Sequence, residues 1–114
     1  MVKPMVYLAI AFTHEKHEVM KLRYEHANWA ASILMDEGYV VFSPISHSYG
    51  IAKYLGKMVD HDYWMDQCLP WMESCDLLVV FDDGPAGAWQ HSKGVQAEIH
   101  YAKELGIPVE IRRF

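Results

Sequence analysis

Met5-Val-Tyr-Leu-Ala-Ile-Ala11 is an unbroken apolar run of strand length. A strand with one wet face alternates apolar and polar residues. A run without alternation belongs to a strand covered on both faces, as in a parallel sheet flanked by helices. Working outward, a helical pattern runs from roughly His17 to Glu37, with Leu22, Ala27, Ala30, Ile33 and Leu34 on its inner side and Gly38 as its stop. Tyr39-Val-Val-Phe42 reads as the second strand and Ser43-Pro-Ile-Ser-His-Ser48 as a loop at its carboxyl end, with a short helix near Ile51–Leu55. A further helical stretch from about Asp60 to Ser74 contains Pro70, which predicts a kink or two short helices. Asp76-Leu-Leu-Val-Val-Phe81 is the third strand, and the loop Asp82-Asp-Gly-Pro-Ala-Gly-Ala-Trp-Gln-His91 leads into a helix over Ser92–Gly106. Ile107-Pro-Val-Glu-Ile111 is the last strand.

Strands alternating with helices predict an α/β fold, a flavodoxin- or Rossmann-like three-layer sandwich on a parallel sheet of four to five strands, with right-handed crossovers. With 114 residues the chain is expected to form a single domain, 1–114. In such sheets ligands bind outside the carboxyl ends of the strands. That edge gathers Ala11–His14, Ser43–His47 and Asp82–Ser92, the segments richest in Ser, His, Asp, Gly and Trp.

Composition narrows the function. Hydrophobic residues make up 52% and charged residues 22%, which marks a globular chain. A formal net charge of −5 argues against a nucleic-acid partner, which needs clustered cations. No apolar run approaches membrane-spanning length, and the first ten residues lack a signal peptide's apolar region and cleavage site, so no membrane partner and a cytoplasmic location are expected. Cys68 and Cys75 lie seven apart in a helical stretch, two turns apart on one face and too far for an easy disulfide. Both read as reduced core residues.

Glu98 breaks the pattern of its helix. At about 100° per residue, Val95, Ile99, Ala102 and Leu105 form the apolar stripe. Lys93, Gln96, His100, Lys103 and Glu104 cluster opposite. Glu98 projects between Ala102 and Leu105, on the buried side, where desolvating a carboxylate costs several kcal/mol. A partner or a pocket must account for it: an ion pair, a hydrogen bond to a neighbouring loop, or a ligand. Ser92 stands at the N-cap of the same helix with Gly94 just inside. Ser92 is either a plain cap or part of an anion site built from the free N–H groups of the first turn.

Tyr7-Leu-Ala, Phe42-Ser-Pro-Ile-Ser-His-Ser48, Ser74-Cys-Asp76 and Trp89-x-x-Ser92-x-Gly94-Val-x-x-Glu98-x-x-x-Ala102 together resemble the nucleoside 2-deoxyribosyltransferase-like superfamily, in particular its short bacterial and phage members. The resemblance runs through nearly the whole chain in order. It implies N-glycosidic bond cleavage or transfer on a nucleotide or nucleoside, with Glu98 as nucleophile and a glycosyl-enzyme intermediate. It also implies that Tyr7 orients Glu98 and that Ser92 with Gly94 holds a 5′-phosphate. No metal or organic cofactor is implied, and a homodimer or higher homo-oligomer is. Serine rather than aspartate at position 92 favours a nucleotide. Two departures stand out. Ile10 and Ala11 occupy the positions where the first-strand motif has a small residue and proline. Cys68 falls where the superfamily has its second carboxylate. Asp66 and Asp62 are the nearby candidates for that acid, though both share the solvent side of their helix with Glu73.

Trp89 either stacks on a nucleobase or covers the sheet edge. His47 and Ser43 stand in the second loop as ligand contacts or as ordinary surface groups. Seven histidines raise a metal reading, but no pair has the spacing and face of a His-Glu-x-x-His motif. No serine sits in a Gly-x-Ser-x-Gly elbow, and the cysteines align with Trp64, Trp71 and Met72 on an apolar face. The main alternative to an enzyme is an inactive nucleotide-binding or sensor module of the same fold. A purely structural protein would instead pair Glu98 with an internal cation.

Overall fold

A computed structural model describes residues 3–57, 59–84 and 88–114. The elements in chain order are β1 (Met5–Ala9), α1 (His17–Asp36), β2 (Val40–Phe42), α2 (Pro44–Ala52), α3 (His61–Met72), β3 (Leu77–Phe81), a single 3₁₀ turn (Ala88–His91), α4 (Lys93–Leu105) and β4 (Val109–Arg112). The four strands form one parallel sheet in the order β2-β1-β3-β4. The fold is therefore the expected three-layer α/β sandwich. Residues 85–87, part of the long loop expected after β3, lie outside the described residues.

Register fixes which side chains share a layer. Tyr7 pairs with Phe42 on one side and Leu78 on the other, at the middle of the sheet. Successive strand residues point to opposite faces. Val6, Leu8, Ile10, Val79 and Phe81 therefore pack with Ala27, Ala30, Ala31 and Leu34 of α1. Tyr7, Ala9, Ala11, Leu78 and Val80 pack on the other face with Cys68 and Met72 of α3 and Val95 and Ala102 of α4. Burial on both faces explains why β1 and β3 carry no polar alternation.

Helix ends follow their local signals. Ser92 caps α4 by accepting from the Val95 N–H at 3.2 Å. Gly106 ends that helix at φ 77, a left-handed conformation that costs glycine no Cβ clash. The Asp60 side chain caps α3 through the Tyr63 N–H.

Four expectations are corrected. Ser43-Pro-Ile-Ser-His-Ser48 is not a loop: Pro44 opens α2, a position that suits proline because its missing N–H has no helical partner anyway. That helix ends at Ala52, so the short helix placed near Ile51–Leu55 begins seven residues earlier. Leu22 is 55% exposed, because the buried line of α1 runs through Ala27, Ala30, Ala31 and Leu34 and meets Arg23 one turn earlier. Finally, α3 runs through Pro70 as one helix rather than two short ones, with Pro70 in its last turn.

Candidate functional site

The apolar layer between the sheet and α3/α4 contains a carboxyl group. Val95, Glu98 and Ala102 form the buried line of α4, and Glu98 is 5% exposed. Leu105, expected on that stripe, is 38% exposed at its end. The Tyr7 hydroxyl, reaching up from the centre of β1, donates to Glu98 Oε2 at 2.5 Å. No cation pairs with Glu98 among the described residues. A hydrogen bond from a strand tyrosine, rather than an ion pair or a loop contact, is what accommodates this acid.

Burial dominates the electrostatics of the pair. Desolvation pushes the Glu98 carboxyl up to about 8, although the Tyr7 hydrogen bond pulls the other way. Burial, reinforced by the neighbouring carboxylate, drives the Tyr7 phenol far above its ordinary value. At neutral pH the resting pair is therefore mostly a neutral carboxylic acid beside a neutral phenol.

Two further polar groups enter the same layer. Cys68 on α3 is buried, with its Sγ 3.8 Å from the hydroxyl of Ser48, which is buried on α2. Burial raises both thiols, Cys75 to about 11, and the Cys75 thiol donates to the Trp71 carbonyl. Neither is a resting thiolate, so nothing activates either as a nucleophile. Ser48 was missed in the sequence because its segment reads as a loop. Only the helical phase of α2 aims it inward.

The remaining predicted residues fall in three places. Ser92, Gly94 and Trp89 gather at the start of α4. The Ser92 hydroxyl is engaged as a cap, and the Trp89 carbonyl accepts from Gln96 Nε2 at 3.0 Å. Trp89 itself is partly buried against the apolar cluster that includes Tyr7. His61, at the first position of α3, lies beside this point: a Cβ on Gly94 would sit 3.9 Å from its Cε1. That is an ordinary contact distance, so the neighbouring helix start does not by itself require glycine at position 94.

Ser43 and His47 line an open groove between α1, β2 and α2, together with Asn28, Ser32, Met35, Phe42 and Ser46. The Ser43 and Ser46 hydroxyls bond each other at 2.7 Å. The Phe42 ring meets Tyr7 edge-on at 5.6 Å and His47 at 5.7 Å, so it separates this groove from the buried pair. Asp62 and Asp66 are exposed on α3, while Cys68 and Met72 face inward. No hydrogen bond joins either acid to Glu98 among the described residues. Two clefts along the sheet are bordered by other described residues, and neither of them is lined by Glu98. No group of three or more His, Cys, Asp or Glu residues able to hold a metal occurs among the described residues, and no described helix is long and apolar enough to cross a membrane.

A parallel three-layer α/β domain with a tyrosine-held glutamic acid inside one helix layer is thus the class that fold and site define. The pattern of DUF1937, a domain of unknown function, matches residues 4–113, and the chain belongs to that family. No curated protein matches the chain.

Proposed function

We propose that the protein cleaves or transfers the N-glycosidic bond of a nucleotide or nucleoside, with Glu98 as nucleophile. The observation that carries this reading is a buried carboxyl group with no cation partner among the described residues, positioned by the Tyr7 hydroxyl. A purely structural acid would be expected to neutralise a cation or to be replaced by an apolar residue. In the proposed reaction the ionised Glu98 forms a bond to the anomeric carbon while the carbon–nitrogen bond breaks. The electron pair leaves with the base, which takes a proton from solvent, because Asp62 and Asp66 stand at the surface of α3. Water or a second base then attacks the same carbon and releases Glu98. Tyr7 holds the carboxyl oxygen in place and stabilises its anionic form. Ser92 and Gly94 at the start of α4 are the proposed contacts for a 5′-phosphate. A cytoplasmic enzyme working as a homodimer or higher oligomer belongs to this same reading.

A second reading has its own support. Glu98 is 5% exposed and holds its proton up to about pH 8, features that favour a nucleotide-binding or sensor module without turnover. Base release from a panel of nucleosides and nucleoside monophosphates separates the two. Catalysis predicts release by the unmodified protein and a loss of at least about 100-fold in Glu98→Gln. Saturable binding with no free base from either protein would establish the sensor and end the enzymatic proposal.

A further inference from the structure

At the carboxyl end of the sheet, on the face opposite Glu98, a small notch is lined by Ile10, Ala11, Arg23, His26, Phe81 and Asp83. It lies between the ends of β1 and β3. There the chain reverses its direction of sheet growth, since β2 is added on one side of β1 and β3 and β4 on the other. Crevices at that reversal are where open α/β sheets take ligands.

The charges around the notch are unequal in their commitments. Asp82 Oδ1 accepts from the Gly84 N–H and Oδ2 faces Arg113 at 3.7 Å, while Asp83 accepts from the Ala88 N–H. Arg23 is half-buried on the inner line of α1. Its Nη1 donates to the carbonyls of Phe12 at 3.3 Å and Thr13 at 3.0 Å. Among the described residues no carboxylate lies within ion-pair distance of it, although Asp83 borders the same notch. A guanidinium carries five N–H donors in a fork suited to two oxygens. Here one nitrogen anchors the loop after β1, and Nη2 and Nε have no partner among the described residues. His26, one turn later on α1, lies against Phe81 with ring centroids 5.9 Å apart and 16° between planes. That stacking fixes the imidazole at the notch wall.

We propose that this notch is an oxyanion site, in which Arg23 and His26 grip the phosphate or carboxylate head of a small molecule. The space inside is about that of one water molecule, enough for a single anionic oxygen. The body of the ligand then rests outside, over the carboxyl rim. Asp83 on the opposite wall offers an acceptor to a hydroxyl or amine of the same molecule. The site is separate from the start of α4 and does not depend on whether Glu98 reacts.

Amide NMR titrations with inorganic phosphate and with succinate, against chloride at equal ionic strength, test the proposal and tell the two kinds of head group apart. The expected result is saturable shifts at Ala11, Arg23, His26 and Asp83 with at least one of the two anions. Affinity should fall at least tenfold in Arg23→Gln and in His26→Gln and be partly kept in Arg23→Lys. His26→Gln leaves the anchoring of the β1 loop intact, so it reports on the site even if Arg23→Gln disturbs the fold. Absence of saturable shifts with both anions, or shifts that survive both glutamine variants, would overturn the proposal. Binding lost only in Ser92→Ala would place the anion at α4 and overturn it equally.

Discussion

The two faces of the sheet are built from the same two strands and to opposite specifications. On the α1 face, Val6, Leu8, Val79, Ala27, Ala30 and Leu34 are all fully buried and all apolar. On the α3/α4 face, Tyr7, Glu98, Cys68 and Ser48 reach into an equally closed layer from four different elements. The first arrangement needs nothing but volume and shape. The second requires each polar atom to find a partner, and the described side chains leave none unsatisfied. A core can therefore be tight on both sides of one sheet while only one side encloses a carboxyl group, and that side is the more demanding to fold.

Substitutions should expose this difference. The largest effect is expected for Leu34→Ala on the apolar face, where the truncation leaves a cavity and should cost about 2–5 kcal/mol in urea unfolding. That loss should be the same at pH 5 and pH 8, since no ionisable group is involved. Glu98→Gln should behave oppositely. In the unfolded chain Glu98 ionises near 4.5, but in the fold it keeps its proton to about 8. Between those values the native state holds a proton that the unfolded chain has released, so raising the pH favours unfolding. Stability from this group is complete below about pH 4.5 and lost above about pH 8. Glu98→Gln removes the dependence, so its melting temperature should match the parent near pH 5 and exceed it at pH 8. The difference there is on the order of a few kcal/mol. A gap that does not grow with pH would show that Glu98 is solvated in solution. If Glu98 is the nucleophile, kcat/KM should climb with pH toward a plateau above about 8, because only the ionised carboxylate attacks.

Tyr7→Phe should give the smallest shift of the three, about 1–3 kcal/mol, from a buried carboxyl left without its donor. Its diagnostic is direction. Losing the bond that favours the anion should move the Glu98 titration, and any activity profile that follows it, to still higher pH. A move to lower pH would mean that Tyr7 stabilises the neutral acid instead.

Much of this was readable before any coordinates. The apolar runs of β1 and β3 and the strand–helix alternation carry the layer order, and the lone acid within the Val95–Ala102 stripe marks Glu98 as inward. Tyr7 was less visible, because an aromatic in a buried strand looks like packing until its hydroxyl is seen to have a partner. The α1 phase shows how such reading goes astray. Counting Leu22 as inner follows hydrophobicity, whereas stepping back four residues from Ala27 gives Arg23. The missed charge is the one that borders the notch. Ser43-Pro44 was likewise a helix-start signal hidden in a segment whose Ser, Pro and His content resembles a loop. Residues joined only by tertiary contact, such as Ser48 with Cys68, leave no trace in spacing.

The short bond between Tyr7 and Glu98 also provides the molecule with a built-in spectroscopic label. A carboxylic acid that stays protonated at neutral pH absorbs in the infrared apart from ionised carboxylates. The carbonyl stretch of Glu98 should therefore stand out among the 15 acidic side chains of the chain. Its frequency would report the phenol contact directly, and its disappearance on adding a ligand would register ionisation inside the sandwich without a dye, a tag or an assay for product.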